Sequence, residues 1–335
     1  MNPLILPVIL LLGSAAVIYL ACEFFVNGVE WVGHRFAVGE QATGSILAAF
    51  GTALPESVVT FVAVVFGATA AEKQIGIGAA LGGPLVLSTI AYATVGLVLI
   101  CCRMRLPKTA AIRGDFRNLS RDQGWFLAIF AAKIALGLVA LALKPWLGVL
   151  FLAAYAAYFW KEMRGDADVE AVELEPLKLT PRAAEPKTSM AVLQTLLALG
   201  VIFAASRLFV LQLGALGPVL GVKPQLLALL LSPIATELPE TLNAVIWVRQ
   251  GKHRLALANI SGAMMIQATV PTAFGLFFTP WILDRSLLVA AAVTVLAVTA
   301  MFAAFRLGFI SRVFLTAMAA FYVLFAAIIV VLRLG

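Results

Sequence analysis

Charged residues are scarce in this sequence. Only 12% of its 335 residues are Asp, Glu, Lys or Arg, whereas roughly 25% is usual in soluble globular proteins. Hydrophobic residues account for 62%, and the mean hydropathy is +1.02. This composition excludes a soluble fold, because the apolar surface is too large to be buried in one. It predicts several membrane-spanning helices of about 20 residues each.

Cysteine and histidine are also nearly absent. Cys22 lies in an apolar run, and Cys101 and Cys102 are neighbours at a helix end, which provides neither a disulfide framework nor a zinc site. His34 and His253 fall in polar connectors, and no nucleophile with a nearby base occurs within an apolar stretch. We therefore expect no enzyme and no bound cofactor.

The basic residues lie in short connectors. The net charge of +7 does not indicate nucleic-acid binding, because no exposed basic domain with interleaved aromatic residues is present. Taken alternately along the chain, one set of connectors contains 17 Lys and Arg and the other 5. The positive-inside rule then places the richer set in the cytoplasm. We expect a multi-pass protein of the inner (plasma) membrane with both termini on the non-cytoplasmic side.

Ten apolar stretches are bounded by charged residues or by Gly and Pro. The first is too long for the core of a signal peptide and has no basic segment before it, so we interpret it as a retained helix. The stretches are 4–32, 43–66, 75–101, 123–142, 145–160, 190–216, 224–248, 255–279, 284–304 and 312–332.

Acidic residues and prolines are concentrated between the fifth and sixth stretches. Residues 164–188 contain six Asp or Glu and three Pro. Such a segment cannot bury a core, so it predicts a flexible cytoplasmic linker. A calcium-sensing loop is the alternative, but the spacing of an EF-hand is missing. The linker divides the chain into 1–163 and 189–335.

The two parts are an internal repeat. A shift of 184 positions superposes Thr52–Glu56 on Thr236–Glu240. Five spans per repeat is an odd number, so the second copy enters the membrane from the opposite side. We therefore predict an all-α integral membrane protein with ten transmembrane helices in two inverted five-helix repeats, an architecture typical of secondary transporters.

Each repeat carries Leu-Pro-Glu inside an apolar stretch. Proline removes a backbone hydrogen bond and opens the preceding turn, so we predict that the second and seventh helices are broken. Backbone of this kind survives at membrane depth only where it is packed in protein or lines a cavity. Thr52 and Thr236 each precede a glutamate, Glu56 or Glu240, by four residues and share its helix face. Hydroxyl, carboxylate and released carbonyl oxygens suit a hard cation.

Glu237 and Gln267 extend this predicted metal site. Glu237 is three residues before Glu240, and Gln267 lies on the following small-residue helix. Three carboxylates in one cavity need a cation or protons, since like charges oppose one another's ionisation. The structural alternatives are prolines that only kink their helices, glutamates in structural pairs, and a helix–helix hydrogen bond made by Gln267.

Three further ionisable groups lie inside apolar stretches. The repeat register pairs Glu23 with Arg207, and we predict a structural salt bridge between them because charges in hydrocarbon need partners; a role of the two residues in transport is the alternative. We expect Lys133, in the fourth stretch, to reach the membrane surface or a helix-end carbonyl rather than to bind substrate.

The segments Gly51–Glu56 (GTALPE) and Ala235–Glu240 (ATELPE), each followed by a small-residue helix, resemble those of the calcium/cation antiporter superfamily, specifically prokaryotic sodium/calcium exchanger membrane proteins. The resemblance covers essentially the full chain. It implies broken helices in each half, a cation site at the midplane, and alternating access as the first helix of each repeat slides against the remaining core.

The resemblance also implies roles for individual residues. Glu56 and Glu240 match the family's calcium-binding glutamates, Thr52 and Thr236 its threonines, and Gln267 an acidic or amide ligand. The family's serine after each threonine is replaced by Ala53 and Glu237, and the Gly-Ser-Asn of the following helices becomes Gly262–Met264 in the second half. In the first half either Gly83 or Leu87 occupies the position of the amide ligand.

We therefore expect a secondary cation antiporter. It would exchange calcium or a similar cation, as cargo rather than cofactor, for sodium or protons, with the lipid bilayer and inorganic cations as its partners. A membrane scaffold or sensor that keeps the fold without transport is the alternative, because the family's serines and one amide are missing. The sequence leaves the oligomeric state open.

Overall fold

The chain is all-α. The computed structural model describes residues 4–35, 48–101, 116–164, 174–183, 185–308 and 310–334, with backbone only for residues 48–53 and 162–164. In the first half, the helices are α1 (Ile5–Arg35), α2 (Ala48–Phe66), α3 (Ala70–Val86), α4 (Tyr92–Cys101), α5 (Arg117–Leu138) and α6 (Lys144–Arg164). A π-helical turn, Leu87–Ala91, joins α3 to α4.

In the second half, the helices are α7 (Thr188–Leu220), α8 (Pro224–Thr236), α9 (Leu238–Arg249), α10 (His253–Phe278), α11 (Arg285–Leu307), α12 (Arg312–Ala317) and α13 (Ala319–Val331). In its described part, each of the ten apolar stretches therefore lies mainly on helix.

Six helical segments of the described residues are long and apolar enough to cross a bilayer. They are Ile5–Arg35, Ala70–Cys101, Thr188–Leu220, His253–Phe278, Arg285–Leu307 and Arg312–Val331. Exposed side chains such as Leu12, Leu196 and Val323 form an apolar outer surface on these helices. This surface is what a bilayer solvates, so the chain is a multi-pass membrane protein.

Helix α10 occupies the centre of the fold. It packs against α2, α3, α5, α6 and α9, and most of its residues are buried. A helix surrounded by other helices has to be apolar or small on all sides, and the sequence from Leu255 to Ala268 meets this requirement. The few polar residues of α10, among them Asn259 and Gln267, are consequently held away from both lipid and water.

The central helix of each half packs against a helix of the other half. Helix α3 of the first half packs on α8 of the second, while α10 of the second half packs on α2 of the first. Glycines permit the close approach of α3 and α8: a Cβ atom at Gly78 would overlap the backbone of Gln225, and one at Gly82 would overlap the carbonyl of Leu229. The carbonyl of Leu229 is four residues before Pro233 and receives no α-helical N–H there.

Helices α1 and α7 form the third contact between the halves. They pack along each other more extensively than any other pair of described helices. Ile18 and Cys22 of α1 and Ile202 and Phe209 of α7 are buried in a shared apolar cluster. The first helices of the two repeats thus form a pair beside the core that α10 organises.

The segment between the halves is packed along this pair in its described part. Residues 174–183 and 185–187 run beside α1 and α7, and Leu177 is fully buried. The side-chain oxygen of Asn27 accepts hydrogen bonds from the backbone N–H of Lys178 at 3.0 Å and from Gln194 at 2.9 Å. The Trp31 indole donates to the carbonyl of Glu175 at 2.8 Å. This part differs from the flexible linker that its composition predicts; residues 165–173 lie outside the described part.

The predicted salt bridge between Glu23 and Arg207 is wrong. The Glu23 carboxylate is bonded by the Lys178 ammonium at 3.0 Å, and the Arg207 guanidinium stacks over the ring of Phe66, 5.8 Å from its centroid. The repeat register predicted a pair of symmetry-related positions. The packed segment between the halves supplies a nearer cation, and an aromatic face satisfies the arginine.

Candidate cation site

The two Leu-Pro-Glu segments have different backbones. Helix α2 continues through Pro55, so the break predicted for the second helix is not observed. A proline removes only one N–H donor, and the neighbouring hydrogen bonds can carry a helix past it. In the second half the helix is interrupted at Glu237, which ends α8 and precedes α9; its φ of −98° and ψ of −4° stay in the right-handed helical region, and its N–H still donates to the Pro233 carbonyl at 2.8 Å.

Three glutamates are buried where these segments meet. The exposed fractions of Glu56, Glu237 and Glu240 are 1%, 1% and 0%. Glu56 lies on α2, Glu237 at the α8–α9 break, and Glu240 in the first turn of α9, so both halves contribute. Ionised groups shielded from water in this way require partners, protons or a bound cation.

The Glu237 carboxylate is held by side chains of the second half. One of its oxygens accepts a hydrogen bond from the Gln267 amide at 2.7 Å, and the other from the Thr236 hydroxyl at 3.0 Å. The helix–helix hydrogen bond considered for Gln267 is therefore present, and its acceptor is the Glu237 carboxylate of the site. The Gln267 amide oxygen has no donor among the described residues.

The Glu56 carboxylate faces Glu237 across the boundary between the halves. Their carboxyl groups lie within hydrogen-bonding reach of each other, yet no described donor bonds to either oxygen of Glu56. Two carboxyl groups in this arrangement need a proton or a cation between them. Glu240 lies further away, within electrostatic range of Glu56 and of the buried Cys22 thiol.

Gly83 occupies the position opposite Glu56. A Cβ atom at Gly83 would overlap the carboxylate of Glu56. Between Gly83 and Leu87, the candidates for the ligand position in the first half, Gly83 is therefore the residue in contact with the site. The same shift of 184 positions relates Gly83 to Gln267. The second half therefore has an amide side chain at the position where the first half has none.

Lys133 of α5 adds an ammonium group to this cluster. Its side chain is fully buried, and its Nζ atom donates to the backbone carbonyls of Ala80 at 2.7 Å and Gln267 at 3.4 Å. The ammonium is also within electrostatic range of Glu56. Lys133 does contact backbone carbonyls, as expected. However, these carbonyls lie in the middle of helices and beside the predicted ligands, whereas the sequence predicted a carbonyl at a helix end.

Of the six predicted site residues, the structure brings four into one contact network: Glu56, Glu237, Thr236 and Gln267. Glu240 belongs to the same buried cluster at longer range. Thr52 lies one turn before Glu56 on α2, and its side chain lies outside the described part. Among the described residues, no three His, Cys, Asp or Glu side chains are close enough together to chelate a metal ion.

Lys133 and Cys22 are the residues near the site that the sequence interpretation did not place there, whereas Gly83 was one of its two candidates for the ligand position of the first half. For Lys133, a signal was available: Pro84 and Pro271 each lie four residues after a carbonyl that the ammonium contacts. The ungapped register of the repeat favours Gly83 over Leu87, because a shift of 184 positions relates Gly83 to Gln267. Cys22 carries no such signal, since its approach to Glu237 and Glu240 depends on how α1 packs.

The chain matches the family model described as sodium/calcium exchanger protein over residues 6–161 and 190–331. These two ranges include nearly all of the described helices. The chain belongs to the sodium/calcium exchanger protein family.

Individual relatives are distant. The inner membrane protein YrbG of Escherichia coli (strain K12) is 22% identical over 279 residues, which is 82% of this chain and 81% of YrbG. The crystal structure of the H+/Ca2+ exchanger CAX superposes with a TM-score of 0.75 at 17% identity, covering 97% of this chain and 82% of CAX. The sodium-calcium exchanger NCX_Mj superposes with a TM-score of 0.61 at 19% identity, covering 97% and 99%. The chain thus shares its fold with both.

Proposed function

We propose that this chain is a secondary active antiporter that exchanges calcium or a similar cation for sodium or protons by alternating access. Membership in the sodium/calcium exchanger family supports cation antiport. The observation that carries the proposal is the cluster of Glu56, Glu237 and Glu240, drawn from both halves and sealed from solvent. Buried carboxylates of this number suit a cationic cargo, which their combined charge would attract.

The proposed transport site comprises Glu56 and Glu240 as central ligands, with Glu237, Thr52, Thr236 and Gln267 around them. The contacts of Glu237 with Gln267 and Thr236 support this set. Since no group of three or more of the described His, Cys, Asp and Glu side chains is placed to hold a metal ion, we propose that Glu56 and Glu240 draw together when the cation binds. Such an approach across the boundary between the halves would couple cation binding to their relative position.

We propose ten spans in two inverted repeats, 1–163 and 189–335, in the inner membrane with both termini on the non-cytoplasmic side. The reciprocal packing of α3 on α8 and of α10 on α2 supports this organisation, because a twofold relation between repeats produces paired contacts of that kind. In the proposed cycle, the pair α1 and α7 slides against the core. Residues 174–187 would then move with the pair to which their described part is bound.

The counter-ion is proposed from the contact between Glu56 and Glu237. When the cation leaves, two facing carboxyl groups are most stable with a proton between them, so the pair favours protons over sodium as the exchanging ion. The structural neighbours include a proton-coupled exchanger and a sodium-coupled one. Both counter-ions therefore enter the test.

The second candidate is a membrane scaffold or sensor that has kept the fold without transport. The absence of a chelating group of three acidic, His or Cys side chains among the described residues favours it. It predicts that the protein binds cations weakly or not at all and moves none.

Flux in proteoliposomes tests both candidates. Uptake of labelled calcium is measured while sodium and proton gradients are imposed separately, for wild type and for Glu240→Gln. The matched control is Glu72→Gln, because Glu72 lies in the first turn of α3 and accepts a hydrogen bond from a nearby backbone N–H. We expect gradient-driven uptake by wild type and the control and its loss in Glu240→Gln. Undiminished exchange by Glu240→Gln contradicts the site, and no uptake by any form supports the scaffold.

A further inference from the structure

The two carbonyl oxygens that Lys133 contacts are both released from their helices by proline. In an α-helix each carbonyl accepts the N–H of the residue four positions later, and proline has none. Pro84 is four residues after Ala80 in α3, and Pro271 is four residues after Gln267 in α10. Each central helix, one from each half, therefore presents one carbonyl without its α-helical donor at the point where Lys133 Nζ lies.

Released carbonyls beside carboxylates form a cation site by their chemistry. Carbonyl dipoles point their negative ends at the shared position, and Glu56 is within electrostatic range of it. Without a positive group, two buried carbonyl oxygens would remain unsatisfied, which is unfavourable at membrane depth. The position thus requires a hydrogen-bond donor and favours a positively charged one, and the sequence supplies an amine there covalently.

We propose that the Lys133 ammonium is a tethered cation that occupies a monovalent-cation position of the transport site. The position is defined by the carbonyls of Ala80 and Gln267. Lys133 therefore replaces one ion that the site would otherwise bind from solution. This inference rests on the proposed function for its meaning in transport, but the occupancy of the position can be tested without transport.

The surroundings of the lysine hold it in place. Its ammonium lies 5.2 Å from the ring centroid of Phe130 and 5.8 Å from that of Trp281, within the range of cation–π attraction. The Trp281 indole donates to the Lys133 carbonyl at 3.1 Å, which fixes the α5 backbone beside the loop that follows α10. The side chain has no solvent exposure, so the ammonium cannot reach the membrane surface from this rotamer.

The charge balance follows from this assignment. Glu56, Glu237 and Glu240 with the fixed charge of Lys133 leave an excess of two negative charges when all are ionised, which equals the charge of one divalent cation. A cargo of one divalent cation would then be replaced by two monovalent ions without net charge movement. Removing the lysine charge should open the position to a monovalent ion from solution.

Chemical rescue tests the proposal on the full chain in detergent. The thermal midpoint Tm is measured for wild type, Lys133→Ala and Lys133→Met in N-methylglucamine buffer, and then with ammonium, methylammonium, sodium or potassium at equal ionic strength. Lys133→Ala leaves a space that a small cation can enter, whereas the methionine side chain fills it. Lys144→Ala is the matched control, because Lys144 also donates to two carbonyls, Pro280 at 2.8 Å and Trp281 at 3.1 Å, at the end of α10.

We expect a drop in Tm of several degrees for Lys133→Ala in N-methylglucamine, recovered at least by half with one or more of the small cations. Lys133→Met and Lys144→Ala should respond no more than wild type. Absence of recovery in folded Lys133→Ala, or equal recovery in Lys133→Met, overturns the proposal. The Tm does not depend on flux, so the experiment tests the tethered cation even if the protein transports no ion.

A second variant covers the case in which Lys133→Ala does not fold. Lys133→Gln removes the charge and retains an N–H donor near the two carbonyls, on a side chain that is one bond shorter. Its Tm should rise more with sodium or potassium than that of wild type, because the position lacks a positive charge. An equal response of the two proteins contradicts a tethered cation and leaves Lys133 as a hydrogen-bonding link between α3 and α10.

Discussion

Gly83 of α3 lies against the carboxylate of Glu56 on α2 so closely that a Cβ atom at position 83 would overlap it. The absence of a side chain at this position is therefore part of the site, since it leaves the space in which Glu56 faces Glu237. At the related position in the second half, Gln267 fills the corresponding space and bonds to Glu237. The two halves consequently contribute unequal environments to one carboxylate cluster.

Substitution of Gly83 by alanine should abolish function through this contact. In Gly83→Ala the methyl group displaces the Glu56 carboxylate, so we expect cation-driven Tm shifts and flux to fall at least tenfold. Gly200→Ala is the control, because nothing lies within 4 Å of a Cβ atom there. It should match wild type or be slightly more stable, as alanine favours a helix by about 1 kcal/mol over glycine. Normal calcium-dependent stabilisation of Gly83→Ala would contradict the contact.

The sequence predicted the class of fold for clear physical reasons. Apolar length and the alternation of basic connectors indicate helices that cross a membrane, and each stretch lies mainly on helix in its described part. The repeated Thr-x-Leu-Pro-Glu segments, the spacing of Glu237 to Glu240 and the small-residue helix that follows brought Thr52, Glu56, Thr236, Glu237, Glu240 and Gln267 into one hypothesis. Four of these side chains form one contact network in the structure.

The remaining features depend on tertiary packing that periodicity does not encode. Glu23 bonds to Lys178 rather than Arg207, because the segment between the halves is bound along α1 and α7. Helix α2 continues through Pro55, since one missing hydrogen bond does not by itself break a helix. Lys133 reaches the site because α5 packs beside α10, and no local pattern around a single lysine specifies that neighbour.

Gln267 should contribute to the stability of the folded protein through its hydrogen bond to the buried Glu237 carboxylate. In Gln267→Leu the amide donor at 2.7 Å is lost and a buried acceptor is left with fewer partners. We expect a loss of about 1–3 kcal/mol in the free energy of unfolding. The double variant Gln267→Leu/Glu237→Leu removes both partners and should recover part of this loss. Chemical unfolding in detergent measures it, and equal stability of Gln267→Leu and wild type would argue against the bond.

The packed segment between the halves should contribute to stability through Asn27. Its side chain bonds the backbone of Lys178 and the amide of Gln194, both in the interior of the contact. Asn27→Ala should therefore lower the free energy of unfolding by about 1–3 kcal/mol. Arg35→Ala removes an ion pair with Glu185, whose side chain is 82% exposed, and should cost less than about 1 kcal/mol. Thermal unfolding of both variants compares them, and a reversed order would show that the segment does not depend on Asn27.

Asp284, which precedes the span Arg285–Leu307, should make stability depend on pH. Burial acts to raise the pKa of this carboxyl, but hydrogen bonds from Leu287 N–H and Ser286 and the nearby Lys223 outweigh it, so the pKa lies below its usual value of 3.8. A lowered folded-state pKa stabilises the ionised protein, and this contribution is complete above the unfolded-state pKa and disappears as the pH falls through the folded-state pKa.

Asp284→Ala therefore should lower the Tm at neutral pH, because it removes the N-cap of α11 and the contact with Lys223 at 3.3 Å. The loss of a cap costs about 1 kcal/mol. As the pH falls below the usual carboxyl range, wild type should lose this contribution and the two melting curves should converge. Ser311→Ala, which removes the N-cap of α12, serves as the control because a serine hydroxyl does not titrate. The difference in Tm between Ser311→Ala and wild type should stay constant with pH. If the difference in Tm between Asp284→Ala and wild type is also constant, ionisation of the Asp284 carboxyl does not contribute to stability.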